Sequence, residues 1–227
     1  MLDKRFVAYG RFYNIQYSNS LEQCRNILEI YRRECHEKLK ESDKLDAIFI
    51  MMNPGASKPV NGKYNIKSFT ASDIKNEKHL IISVELAQPD KTQYQIMRIM
   101  ESNKWDFVKV INLSDIREAK SNNFYDEINK LQEKDTDYIH SIFSKERISE
   151  LNKIFTSSKD IKVIVAWGVN SKLRFLINLA ISNNNLKNRI GYDKDTYKKL
   201  VNFYYYHPLQ RGKKRQEKWL INILSKI

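Results

Sequence analysis

The chain has 227 residues, 41% hydrophobic and 30% charged, so it holds enough apolar mass for a core and is not a disordered tail. Lys and Arg number 40 against 27 Asp and Glu, a formal net charge of +13, for which nucleic acid is the natural partner and a solvated basic surface the alternative. No run approaches the ~20 apolar residues of a membrane-spanning helix, and MLDKRFVAYG has no apolar signal region, so a cytoplasmic protein without membrane contact is expected.

In chain order, Arg5–Ser18 is rich in Tyr and Phe around a central Gly and predicts two short strands or a hairpin. Ser20, with Gln23 three residues on, reads as an N-cap, and the apolar spacing predicts a helix from Leu21 to about Lys40. Cys24 and Cys35 fall inside that helix, about 16 Å apart, too far for a disulfide. Asp46–Met52 is a continuous apolar run that stops at Asn-Pro-Gly, as a buried parallel strand would. Ala56–Gln88 reads as a long loop with local structure near Leu80–Leu86. Asp90, with Gln93, caps a helix to about Ser102.

Phe107–Leu113 and Ile161–Trp167 predict two more buried strands, Asn170 to about Ile181 an amphipathic helix, Val201–Tyr206 a fourth strand, and Arg215–Ile227 a closing helix. Four apolar strands alternating with helices predict one α/β domain over 1–227: a mostly parallel sheet with helices on both faces, on which the hairpin and helix of 1–44 pack. Ligands of such sheets bind beyond the carboxyl ends of the strands. Those ends carry Asn53-Pro54-Gly55, Asn112, Gly168 and His207-Pro208.

Each of these positions has two readings. Pro54 fixes one φ angle and Gly55 permits close approach, so the backbone N–H groups of this turn can hold an anion or a base edge, or can simply end the strand. His207, pinned by Pro208, can stabilise a developing anion, or can satisfy local backbone. The Asn112 amide offers a donor and an acceptor to a base edge, or caps the strand. Trp167 and Gly168 also read as a core residue and a turn.

Together, the order strand-NPG, strand-INL, strand-WG, strand-HPL resembles the uracil-DNA glycosylase superfamily. Asn53-Pro54-Gly55 is similar to the first motif of its mismatch-specific uracil/thymine branch, and His207-Pro208 to the second motif. More closely, Asn53-Pro54, Asp90-x-Thr92, Asn112-Leu113 with Arg117, Ala166-Trp167-Gly168 and His207-Pro208-Leu209 resemble an uncharacterised bacterial family of glycosylase-like proteins. The resemblance spans roughly residues 45–212. It implies a three-layer α/β/α fold around a four-stranded parallel sheet. It implies that Asn53 orients the attacking water, that His207 contacts the leaving base, and that Pro54, Gly55, Asn112 and Trp167 line the base pocket. Asp90 competes with Asn53 for the water, the alternative being a plain helix cap. Ser57, Pro208, Gln210, Arg211, Lys213 and Lys214 are the implied DNA contacts.

Met51-Met52 stands where the glycosylase motif usually has a Gly just upstream, and His207-Pro208-Leu209-Gln210 lacks the second Pro and the Ser of the common form. Two cysteines exclude the cluster-bearing branches, so no cofactor and no metal are expected. The expectation is a monomeric, monofunctional DNA glycosylase. It would act on a uracil-like, mismatched or modified base in duplex or single-stranded DNA, in repair or in defence against phage DNA. A binding module without catalysis and a nucleoside or nucleotide hydrolase are the alternatives.

Overall fold

A computed structural model describes residues 4–36, 44–132, 137–156, 161–193 and 203–227. The aromatic and β-branched N-terminus extends rather than coils. Phe6–Gln16 forms β1 and Leu21–Arg32 forms β2, paired antiparallel across a turn in which Tyr17 N–H donates to Ser20 O at 2.9 Å. The helix expected from Leu21 is therefore a strand, and the reason is a β-bulge. Gly10 pairs with Leu28, yet Phe12 pairs with Arg25, so β2 carries one residue more than β1 over that stretch. The extra residue spaces the buried Cys24, Ile27, Leu28 and Tyr31 by three and four, which imitates a helical stripe.

β2 is also covered on both sides: Ile27 and Tyr31 enter one core, Leu28 and Ile30 the other. The N-terminal hairpin thus belongs to the sheet itself, and positions 37–43 of the expected helix lie outside the described residues. Cys24 lies in β2 and Cys35 in the 3-10 turn Arg33–Cys35, and neither is in a disulfide.

The apolar run before Asn53 forms β3, Ala47–Met51, with every residue buried. The segment read as a long loop holds β4 (Lys58–Pro59), β5 (Ser68–Thr70), helix α1 (Ala71–Lys75) and β6 (Glu85–Gln88). Helix α2, Lys91–Asn103, starts at Asp90, whose carboxylate accepts from Thr92 N–H and Gln93 N–H at 2.8 and 3.1 Å while Gln93 completes the capping box. Then come β7 (Phe107–Asn112), α3 (Ser121–Gln132), α4 (Ile148–Phe155), β8 (Lys162–Val165), α5 (Arg174–Ile181), β9 (Ile190–Gly191) and α6 (Lys213–Leu224).

Among the described residues nine strands form one sheet in the order β4-β6-β1-β2-β7-β3-β8-β9, with β5 beside β1. The set β7-β3-β8-β9 is parallel, and β2, β1, β6 and β4 extend it antiparallel. The sheet is thus mixed and much wider than the four strands expected. Its fourth parallel strand is β9, not Val201–Tyr206. Residues 201 and 202 lie outside the described part, and Tyr205 makes only isolated antiparallel bridges, to Gly168 and Asp193.

Alternation along β3 sends Ile48 and Ile50 to one core and Ala47, Phe49 and Met51 to the other. Phe124, Leu151 and Leu176 bring α3, α4 and α5 to the first, while Ile96, Met100, Trp219 and Ile223 bring α2 and α6 to the second. Each such side chain contributes about 1.5–3 kcal/mol of transfer free energy. No described helix is long and apolar enough to cross a membrane.

Candidate active site

The parallel register puts Met51 beside Asn112, so β3 and β7 end together. Beyond these ends opens a cavity of about 410 Å³ lined by Asn53, Pro54, Gly55, Asp90, Asn112 and His207, together with Arg25 and Gln93. A second cavity, of about 370 Å³, shares Met52, Ser121, His207 and Leu209 with the first and is bounded by Tyr125, Trp167, Arg211 and Arg215. A third, of about 560 Å³, lies elsewhere, among Glu22, Glu118, Asp126 and Glu127, and is lined by none of the candidate site residues.

Asn53 leaves β3 half-buried. Its Nδ2 donates to Glu118 O at 2.6 Å and Ile116 O at 3.3 Å, so its carbonyl oxygen is the atom left for a ligand. The loop holding it is anchored from beneath: between Ser114 and Ile116, the Asp115 carboxylate accepts from Tyr13 at 2.5 Å and from Arg147 at 2.7 Å, all buried. Gly55 adopts φ +63°, and a Cβ there would lie 3.2 Å from Asp90 Oδ2, so the turn needs glycine twice over. Arg117 ties the far side of this turn by donating to Ser57 O at 2.7 Å.

Asn112 is fully buried, and neither its Oδ1 nor its Nδ2 has a hydrogen-bond partner. Buried amides are almost always satisfied, so this one is set for something that enters the cavity. His207 is delivered by the segment bridged to Gly168 and Asp193. Its Nδ1 accepts from Leu209 N–H at 3.2 Å, which leaves the ring proton on Nε2. Burial pushes its pKa down to about 4, so at neutral pH it is an uncharged donor.

Asp90 reaches the cavity, but its Oδ1 is occupied by the α2 N-terminus. Trp167 is fully buried, donates to Phe203 O at 2.8 Å and lines the second cavity rather than the first. Ser57 and Pro208, expected at the DNA, are buried: Ser57 is folded into the strand-exit turn, its N–H donating to Pro54 O at 3.4 Å, and Pro208, between His207 and Leu209 in the chain, is not at the surface. Gln210 is half-buried, and Arg211, Lys213 and Lys214 are exposed at the start of α6.

Sequence reasoning missed Arg25. It sits on β2 opposite Phe12, is 2% exposed, and lines the cavity with Nε and Nη1 unpartnered. Burial lowers its pKa to about 10, with Asp90 pulling the other way and Arg117 adding to the fall, so it stays charged at neutral pH. In a predicted helix a lone Arg reads as solvated; only the bulge, invisible in the composition, reveals its inward direction. Comparison with family models, with curated proteins and with solved structures returns no match.

Proposed function

We propose that the protein is a DNA glycosylase of the uracil-DNA glycosylase kind, built on a three-layer α/β/α fold, that hydrolyses the N-glycosidic bond of a base turned out of the stack. The observation that carries this reading is the meeting of Asn53, Asn112 and His207 in one cavity, with the Asn112 amide buried and unpartnered. Base extrusion costs a few kcal/mol, which contacts to the turned-out base and to the backbone must offset.

In this reading Asn112 pairs with the base edge through its donor and its acceptor. Asn53, its nitrogen held by two carbonyls, accepts a hydrogen bond from water through Oδ1 and aims that water at the anomeric carbon. The C–N bond breaks, its electrons leave with the base, and the Nε2–H of neutral His207 hydrogen-bonds the base oxygen as charge builds. Removing a donor of this type typically costs about 2.7–4 kcal/mol, a factor of ~100–1000 in rate. Asn cannot ionise, so the water gives its proton to bulk solvent late, and the reaction is slow beside one driven by an Asp. Asp90 has the role of a helix cap. Arg211, Lys213 and Lys214 hold backbone phosphates beside the second cavity.

The test is base release. Oligonucleotides carrying uracil, G·U and G·T mismatches or modified cytosines, as duplexes and single strands, are incubated with the protein and then treated with alkali. Strand breaks at the marked position support the reading. Salt-sensitive binding with no release from any of them favours a binding module, and release from free nucleosides alone favours the nucleoside hydrolase.

A further inference from the structure

We propose that the cavity contains an oxyanion seat built on Arg25, so that its ligand presents a negatively charged oxygen group to that guanidinium: a carboxylate on a base or the phosphate of a nucleotide. The fold contains an internal contrast. Arg147 is as deeply buried as Arg25, but it has Asp115 at 2.7 Å and Glu150 at 2.9 Å. Arg25 has no hydrogen-bonded carboxylate among the described residues, and two of its nitrogens have no partner at all. A buried charge without a partner is among the more expensive features a fold can carry, and a ligand that completes it removes that cost on binding.

Local structure is arranged to hold Arg25 there. The bulge in β2 reverses the side-chain direction that the strand's alternation would impose, and turns Arg25 to the face of Phe12 and Val110. Gly10 makes way for its stem, since a Cβ on Gly10 would lie 3.1 Å from Arg25 Cδ. The wall around it bears Lys91 and Asp90 as its other charges, and one Asp90 oxygen already accepts from two helix N–H groups. With His207 uncharged, the lining carries a net positive charge. A planar guanidinium matches carboxylate and phosphate geometry better than it matches a single carbonyl. Asn112 supplies a donor and an acceptor for the uncharged edge of the same ligand.

The inference rests on the glycosylase reading only in its choice of pyrimidine probes. Calorimetric titration of the full chain, without DNA, compares uracil with orotate and deoxyuridine with dUMP. One anionic member is expected to bind about tenfold or more tighter than its neutral parent. Orotate as the tighter one places the charge on the base, and dUMP places it on the phosphate. Arg25→Gln abolishes the preference, and Arg25→Lys, which keeps the charge but not the planar fork, retains part of it.

Equal affinities within both pairs, no binding by either anion, or a preference that survives Arg25→Gln overturns the proposal. The wild-type comparison needs no variant, so poor folding of Arg25→Gln leaves it decisive. Failure of the glycosylase reading shows separately, as absence of base release from DNA while the anion preference stands.

Discussion

Replacing Asn112 by Leu should make the protein more stable and useless as a base binder. The side chain is fully buried, and both amide atoms are unpartnered. An unmade buried hydrogen bond costs about 1–3 kcal/mol. Leu removes both polar atoms and has an open cavity of about 410 Å³ to take its extra volume, so overpacking is not expected to cancel the gain. The net expectation is roughly 1–3 kcal/mol of added stability, and for a domain of this size each kcal/mol raises Tm by about 2–4 °C. Urea unfolding should show a higher midpoint at unchanged slope. Asn53→Ala should do the reverse, because its nitrogen makes two hydrogen bonds worth about 0.5–1.5 kcal/mol each. A fall in stability of Asn112→Leu would mean that the amide is bonded in the free protein, and the reasoning about the site would be wrong. A stabilised variant that still binds and releases base would remove Asn112 from the site.

Other expectations concern the neighbours of Asn112. The His207 imidazole is held near pH 4 by burial, below its ordinary value of 6.5, so the unfolded chain protonates first and stability falls as pH drops from about 6.5 towards 4. His207→Gln should flatten that fall, only in part, because buried His140 is pushed down to about 3 and acts in the same direction. The acid limb of base release should lie near pH 4, and a limb at 6.5 would refute the neutral-donor role. Gly191→Ala would bring a Cβ within 2.2 Å of the Tyr205 ring, whose hydroxyl accepts from Arg189 and whose carbonyl accepts from Gly168 N–H, so the segment carrying His207 must shift. A loss of about 1–3 kcal/mol in urea melts is expected, and an unchanged melt would contradict the packing. Asp90→Ala should lose about 1 kcal/mol through the helix cap, whereas Asp90→Asn should keep both fold and base release; loss of release in a well-folded Asp90→Asn would return Asp90 to the chemistry.

The legible parts of the sequence were those where one physical signal acted alone. β3 is an uninterrupted apolar run, and β7 and β8 are apolar but for Lys109, Asn112 and Lys162, because both faces of the sheet are covered, and Asp90 with Gln93 marked α2 because a capping box is a local, side-chain-to-backbone device. From these followed the strand ends that carry Asn53 and Asn112, whereas His207 reaches the same cavity on a segment whose described residues make only isolated bridges and not the expected strand. The antiparallel half of the sheet was hidden by the bulge in β2, which converts a period of two into helical spacing. β4, β5, β6 and β9 are two to four residues long, too short for periodicity to register. Tyr205 is rich in strand character yet makes only isolated bridges, a choice set by where β9 and Gly168 already lie. Arg25 was lost with β2, because burial of a charged residue depends on direction and not on composition.

The most direct test of the account is base release by the wild-type chain against the Asn53→Ala, His207→Ala double variant, on the same uracil, mismatch and modified-cytosine oligonucleotides with alkaline cleavage as readout. The wild-type protein is expected to form abasic sites on at least one of them. The double variant is expected to lose about 100-fold or more of that activity while its DNA binding at Arg211, Lys213 and Lys214 persists. Release that survives both substitutions, or wild-type protein that binds every substrate and opens none, would contradict the account.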